Sequence, residues 1–243
     1  MIFNLLSRKS SPPRSLVSTD VHSHLLPGID DGVNSFEEAL DIVSGFRDLG
    51  YTKLITTPHI MSDFYKNTPE IILNKLDELR QKVAHKNIDI EIDAAAEYYL
   101  DEHFLEMIEQ KGSLLSFGAG YVLFETSFSS KPLYLKETVF KLQTNGYRPV
   151  LAHPERYMYL WDNKTLAHEL FESGVVLQLN LNSITGHYSK QVKKMANYLL
   201  DQKMITMIGS DCHNLRHFET FKQTLSSKYL DLIDTSILIN NTL

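Results

Sequence analysis

Residues 20–32 read DVHSHLLPGIDDG. His22 and His24 come directly after the β-prone run Leu16-Val17-Ser18-Thr19. Residues two apart on a strand project to the same face, so two imidazoles side by side at a strand end can grip one divalent ion. Asp30 and Asp31 follow on a Pro-Gly loop that can fold back. Nitrogen and carboxylate ligands together suit zinc, manganese, iron or a similar ion.

Outward from this stretch, short apolar runs rich in Val, Ile, Leu, Thr and Tyr recur at 16–22, 53–57, 88–97, 121–125, 149–152, 175–180 and 204–209. In the third, Ile88, Ile90 and Ile92 alternate with Asp89, Glu91 and Asp93, a period of two. Amphipathic helices are predicted between them. Ser35-Phe-Glu-Glu38 is a capping box that opens a stripe of Phe36, Ala39, Leu40, Val43 and Phe46, ended by Gly50. Thr68-Pro69-Glu70 starts the next, with proline at the first helical position. Further helices are predicted near 101–110, 134–145, 163–173, 188–202 and 217–226, with a last one over 229–239. About seven strands alternating with about seven helices predict an α/β chain with a parallel sheet.

The residues that end the strands choose between an open sheet and a barrel. The first strand ends in His22 and His24, the second in His59, the third in Glu97 and the fourth in Glu125. The fifth ends in His153-Pro-Glu-Arg156, the sixth in Asn180 and Asn182, the seventh in Asp211-Cys-His213. The C-terminal mouth of a parallel barrel gathers such residues, whereas an open sheet joins only strands beside a topological switch point. A site that uses both first and last strands needs closure. The pattern therefore predicts one barrel domain over 17–243 carrying a polynuclear metal site. The remaining histidines, His85, His103, His168, His187 and His217, read as surface residues, His217 being the one close to the mouth.

A length of 243 residues and a 43% hydrophobic composition fit one such domain. The net charge of −6 and the lack of a basic block argue against nucleic acid as the main ligand. The single cysteine, Cys212, excludes an intrachain disulfide and fits a cytoplasmic location. No run reaches transmembrane length. Residues 1–16 read as a flexible tail; the alternative is a membrane-surface or partner-docking arm anchored by Phe3, Leu5 and Leu6.

With these residues in view, the chain resembles the PHP (polymerase and histidinol phosphatase) superfamily, and within it the bacterial protein-tyrosine phosphatases of capsule and exopolysaccharide gene clusters. The resemblance runs from about residue 17 to about 225. Residues 20–32 carry it, with Thr56-Thr-Pro-His59, Ala96-Glu-Tyr-Tyr99, Leu123-Phe-Glu-Thr126, Ala152-His-Pro-Glu-Arg156, Leu179-Asn180 and Gly209-Ser-Asp-Cys-His-Asn214. His-x-His alone would be unspecific, because amidohydrolases share it. The resemblance implies a distorted barrel of seven β/α units, a TIM-like PHP fold, with three divalent metal ions. Manganese comes first among them, with iron, cobalt or zinc as alternatives. On that pattern His22, His24, Glu97 and Asp211 hold one ion. Glu97, Glu125 and His153 hold the second, with Glu97 bridging, and Asp31, His59 and His213 hold the third. Arg156 would bind the phosphoryl oxygens. Arg216 is the nearest match to a second assisting arginine, at a shorter spacing than the family's.

The chemistry expected of this set is in-line attack on a phosphomonoester by a metal-bridging hydroxide, with the cations offsetting the dianion's repulsion. A cysteine mechanism does not fit. It needs Cys-x5-Arg, but Phe218 stands six residues after Cys212, and Arg216 is too close. Tyr98, Tyr99, Tyr121, Tyr134, Tyr157, Tyr159 and Trp161 lie near the expected mouth loops, and Tyr157, Tyr159 and Trp161 are the foremost candidates to line a slot for a phosphotyrosine ring. The implied partner is the phosphotyrosine segment of a bacterial tyrosine autokinase that controls polysaccharide export. The rival readings are a small-molecule phosphatase of the histidinol-phosphate type, a 3′–5′ exonuclease, and a non-catalytic metal-bearing regulator of export.

Overall fold

The computed structural model describes residues 15–110 and 113–243. Along the chain these form β1 (Thr19–Asp20), α1 (Phe36–Asp48), β2 (Lys53–Thr56), β3 (His59–Ile60), α2 (Pro69–His85), β4 (Glu91–Ala94), β5 (Glu97–Tyr99) and α3 (Glu102–Glu109). Then come β6 (Tyr121–Glu125), α4 (Leu135–Thr144), β7 (Arg148–Ala152), α5 (Met158–Asp162), α6 (Lys164–Glu172), β8 (Val176–Asn180), α7 (Lys190–Asp201), β9 (Ile205–Gly209) and α8 (Leu215–Leu225). Every strand pairing is parallel, in two sheets ordered β1-β2-β4 and β3-β5-β6-β7-β8-β9.

The two sheets run on from one another along the chain. β3 continues the path of β2, and β5 that of β4, so the nine segments follow the seven apolar runs of the sequence. Pro58 sits at the first break and has no N–H to give a ladder; its carbonyl still accepts from Glu97 N at 3.1 Å. At the other end, Ser23 and Cys212 bridge in parallel. Asp211 N–H donates to His22 O (2.8 Å) and His24 N–H to Cys212 O (2.9 Å). These bonds tie the last strand back to the first.

Two apolar layers agree with closure. Val21, Ile55, Ala95, Leu123, Val150 and Met207, drawn from around the whole strand circuit, pack into one small interior cluster. The larger cluster lies between strands and helices, with Phe46, Phe218 and Phe221 meeting where α1 and α8 touch. Gly209, at the end of β9, is fixed by this packing: a Cβ there would lie 2.7 Å from His22 Cβ and 2.6 Å from Gln178 Nε2.

The helix starts follow the sequence signals. Ser35 Oγ accepts from Glu38 N (3.2 Å), and Thr68 Oγ1 accepts from Ile71 N (3.3 Å) with Pro69 beginning α2. The helix expected over 229–239 is instead a series of 3-10 turns, Lys228–Leu232, Thr235–Ile237 and Ile239–Thr242. The reason is a long-range anchor. Asn240 is buried and bridges β1 to β9, accepting from Ile208 N (3.1 Å) and donating to Thr19 O (3.0 Å) and Ile208 O (2.8 Å). The segment serves strand backbones rather than a helical stripe. At the other terminus Ser15 N–H already donates to Leu49 O (2.9 Å), so the packed body includes residues 15 and 16. The rest of the expected tail, with Phe3, Leu5 and Leu6, lies outside the described residues. Among those described, no helix is long and apolar enough to cross a membrane.

Candidate metal centre and active site

The strand ends bring His22, His24, Asp31, His59, Glu97, Glu125, His153, Asp211 and His213 together. Four overlapping groups have ligand-type atoms all within 4.8 Å of one another: His22, His24 and Asp211; His22, Glu97 and His153; His59, Glu97 and Glu125; and His24, Asp31, His59 and His213. Glu97 is the hub. Its Oε2 lies 3.2 Å from His22 Nε2, 3.4 Å from His24 Nε2 and 3.3 Å from His59 Nδ1, and its Oε1 lies 3.1 Å from His153 Nε2. His24 stands with the group expected around a third ion as well as with His22.

The imidazoles are oriented from behind. His22 Nδ1 meets Gln178 Oε1 at 2.8 Å, and the Gln178 amide is fixed by its Nε2 donating to Leu179 O (2.7 Å). His24 Nδ1 meets Asp30 Oδ2 at 2.8 Å, and His213 Nδ1 meets the Asp211 carbonyl at 2.9 Å. These contacts occupy each Nδ1, so Nε2 is the atom each ring would present to a metal ion. His22 Nε2 and His24 Nε2 are 3.3 Å apart. A proton or a metal ion must lie among these nitrogens and the Glu97 and Asp211 oxygens to offset their mutual repulsion. His59 Nδ1, buried and without a hydrogen-bond partner, faces Glu97 and Glu125. The donor set fits divalent metal ions.

Electrostatics point the same way. Burial works against charge on His22, but Glu97 and Asp211 outweigh it and raise its pKa to about 9. Burial and the neighbouring Glu97 raise Glu125 to about 8. Burial and Arg156 lower His153 to about 4. Burial would raise Asp211, yet His22 and His213 hold it well below the usual carboxylate range. Carboxylates crowded in a buried site need compensating positive charge. Backbone strain concentrates here too. Among the described residues, His153 (φ 35°) and Asp211 (φ 51°) are two of four non-glycine residues with positive φ.

A cleft of about 360 Å³ opens onto these side chains. Arg156 reaches it from the 3-10 turn Pro154–Arg156. Its Nη1 lies 3.0 Å from Asp211 Oδ2, and its guanidinium packs against the rings of Phe128 (4.4 Å) and Tyr188 (4.6 Å). Arg216 is not brought in: it is exposed on the first turn of α8 and does not line the cleft, whereas His217, read as a surface residue, does.

The aromatic lining also differs from expectation. Tyr157 is buried and its hydroxyl accepts from Thr126 N (3.2 Å); Tyr159 stacks on Tyr157; Trp161 Nε1 donates to Glu155 O (2.9 Å). The turn after His153 rotates Tyr157 into the body and leaves Tyr159 and Trp161 half-buried against it. The cleft is lined instead by Phe64, Tyr65, Phe128 and Tyr188. Each lies three to eight residues beyond a strand-end ligand-type residue (His59, Glu125 or Asn180), a positional signal that could have found them.

With this geometry in hand, the chain can be set against known proteins. The profile of the family described as "Capsular polysaccharide synthesis, CpsB/CapC" matches residues 18–242. The chain belongs to this family. It is 29% identical over 203 residues to the tyrosine-protein phosphatase YwqE of Bacillus subtilis, covering 83% of this chain and 80% of YwqE. It is 28% identical over 201 residues to the tyrosine-protein phosphatase CpsB of Streptococcus pneumoniae, covering 81% and 83%. Its fold superposes with a TM-score of 0.77 on a chain from the crystal structures of YwqE and CpsB, described as unique metal-dependent tyrosine phosphatases, at 26% identity and 92% and 94% coverage. The phosphotriesterase homology protein of Escherichia coli shares the fold at 15% identity (TM-score 0.53). As a CpsB/CapC family member the chain is an α/β protein with parallel sheets, as the strand pattern predicted.

Proposed function

We propose that this CpsB/CapC family member is a metal-dependent protein-tyrosine phosphatase acting in capsular or exopolysaccharide synthesis. The carrying observation is a guanidinium, Arg156, standing 3.0 Å from Asp211 in a cleft lined by seven of the nine metal-type ligands, with His22 and His24 behind them. Such a cleft suits a phosphoryl dianion. The tyrosyl part of the reading is supported by the likeness to YwqE and CpsB and by the aromatic lining. On this reading the partner is the phosphotyrosine segment of a bacterial tyrosine kinase, and the location is the cytoplasm.

His22, His24, Glu97 and Asp211 would hold one divalent ion, Glu97, Glu125 and His153 a second, and Asp31, His59 and His213 a third, manganese being the first to test. Bound divalent ions supply positive charge for the phosphoryl oxygens and lower the pKa of water. The chain's own residues do the rest. Arg156 presents a rigid fork to two phosphoryl oxygens. Asp30 and Gln178 hold the His24 and His22 rings in register. A phenolic leaving group has a pKa of about 10, so departure needs no strong acid.

The test is phosphate release by the purified chain from a phosphotyrosine peptide and from histidinol phosphate, with and without chelator and with manganese restored. Chelator-sensitive turnover favouring the peptide is expected. Preference for histidinol phosphate would move the assignment to a small-molecule phosphatase, and no turnover of either would leave a metal-bearing regulator.

A further inference from the structure

We propose that Tyr188 is a catalytic residue, its hydroxyl donating a hydrogen bond to a phosphoryl oxygen of the substrate beside Arg156. The inference rests on the phosphatase reading for its substrate, and on a proton inventory for its chemistry.

The inventory begins at Asn180. Its Oδ1 accepts from Asn182 N (3.0 Å), and its Nδ2 lies 2.8 Å from Asp211 Oδ2, a carboxylate oxygen that only accepts. Both contacts fix the amide in one orientation. The same Nδ2 lies 2.8 Å from Tyr188 Oη. An amide nitrogen has two protons to give, one for each of these oxygens. The Tyr188 oxygen is therefore the acceptor, and its own proton is left to point elsewhere. No acceptor for it stands among the described residues, and Tyr188 lines the cleft.

The placement is right for a phosphoryl group. The Tyr188 ring centroid lies 4.6 Å from Arg156 Cζ, and that of Phe128 4.4 Å. Arg156 and Asn180 converge on Asp211 Oδ2, while Asp211 Oδ1 turns toward His22 (3.4 Å) and His24 (3.5 Å). The hydroxyl is thus linked through Asn180 and Asp211 to both the guanidinium and the ligand cluster. Donors aimed in advance at developing charge are the main electrostatic device of such sites. The role is that of a donor and not of a general acid: burial raises the phenol well beyond the range of a tyrosyl leaving group.

Tyr188→Phe keeps the ring on Arg156 and removes only the hydroxyl. The expected result in the metal-loaded chain is a fall of about 10- to 100-fold in kcat/KM for a phosphotyrosine peptide. Inhibition by inorganic phosphate should weaken in parallel, with metal content and Tm unchanged. Wild-type kcat/KM and wild-type phosphate inhibition in this variant would overturn the proposal. A readout that leaves the side chain in place covers the case where Tyr188→Phe loses metal. With 3-fluorotyrosine at position 188, inorganic phosphate should shift the fluorine resonance of the metal-loaded chain, and a resonance indifferent to saturating phosphate would overturn the assignment. If the unaltered chain hydrolyses no phosphotyrosine peptide, the phosphatase reading fails, and the fluorine experiment still decides whether Tyr188 binds the phosphoryl group.

Discussion

Arg156 Nη1 lies 3.0 Å from Asp211 Oδ2, while the other oxygen of the same carboxylate faces His22 Nε2 at 3.4 Å. One carboxylate therefore couples the arginine to the ligand cluster. Arg156→Lys keeps the charge but loses the planar fork and its packing against Phe128 and Tyr188. We expect kcat/KM to fall about 10²-fold, the scale for losing one preorganised donor. Metal content by elemental analysis should stay at the wild-type value; metal loss in this variant would show that Arg156 is structural.

Glu97 is touched by four histidines, whereas the side chain of Asp31 is 50% exposed and contacts His59 and His213. Their amide variants should differ in stoichiometry. Glu97→Gln should lose the ions on both sides of the bridge, and Asp31→Asn at most the outer one. Equal losses in the two variants would contradict the bridging role.

Between pH 7 and 9 the metal-free chain should lose stability as pH rises. His22, raised from 6.5 to about 9, contributes stability that is complete below 6.5 and lost as pH passes through 9. Glu125, raised to about 8, also binds a proton in the folded state that the unfolded chain has released, and so acts in the same direction. His153, lowered to about 4, opposes the trend only below 6.5. Metal binding needs the same imidazoles neutral and the same carboxylates ionised. The Tm gained on adding manganese should therefore grow over this window; a gain that shrinks toward pH 9 would refute the linkage.

Cys212 is fully buried, its thiol pushed far up by burial and by Asp20, with Sγ 3.6 Å from Asn214 O. It has no path to a nucleophile's role. Cys212→Ser should keep at least about half the wild-type kcat/KM, the new hydroxyl reaching the same carbonyl. Loss of turnover with metals retained would reopen a cysteine mechanism.

Eight of the nine ligand-type residues were legible in the sequence because strand periodicity and the parallel-barrel rule bring strand ends together; Asp31, on a loop beside Asp30, was singled out by the family resemblance alone. Parts that depend on long-range pairing were not. Gln178 looks like an ordinary polar residue until the fold sets it behind His22, and Asp30, which reads as a candidate ligand beside Asp31, turns out to stand behind His24. Tyr157, Tyr159 and Trp161 are near Arg156 in sequence, yet a tight turn buries Tyr157 in the core and leaves Tyr159 and Trp161 half-buried against it, while Phe64 (72% exposed) and Phe128 (40% exposed) reach the cleft from irregular loops. The stretch 229–239 has enough apolar residues for a helix, and only the gap between β1 and β9 explains why Asn240 pins it into turns.

The bridge from Ser23 to Cys212 also sets a timetable. On the ribosome, His22 and His24 emerge about 190 residues ahead of Asp211 and His213 and wait for them. At roughly 5–20 residues per second, that wait is on the order of 10–40 s. No nascent fragment short of the last strand can close the ligand ring, so on this reading the full set of metals and the activity must wait until Asp211 and His213 have emerged.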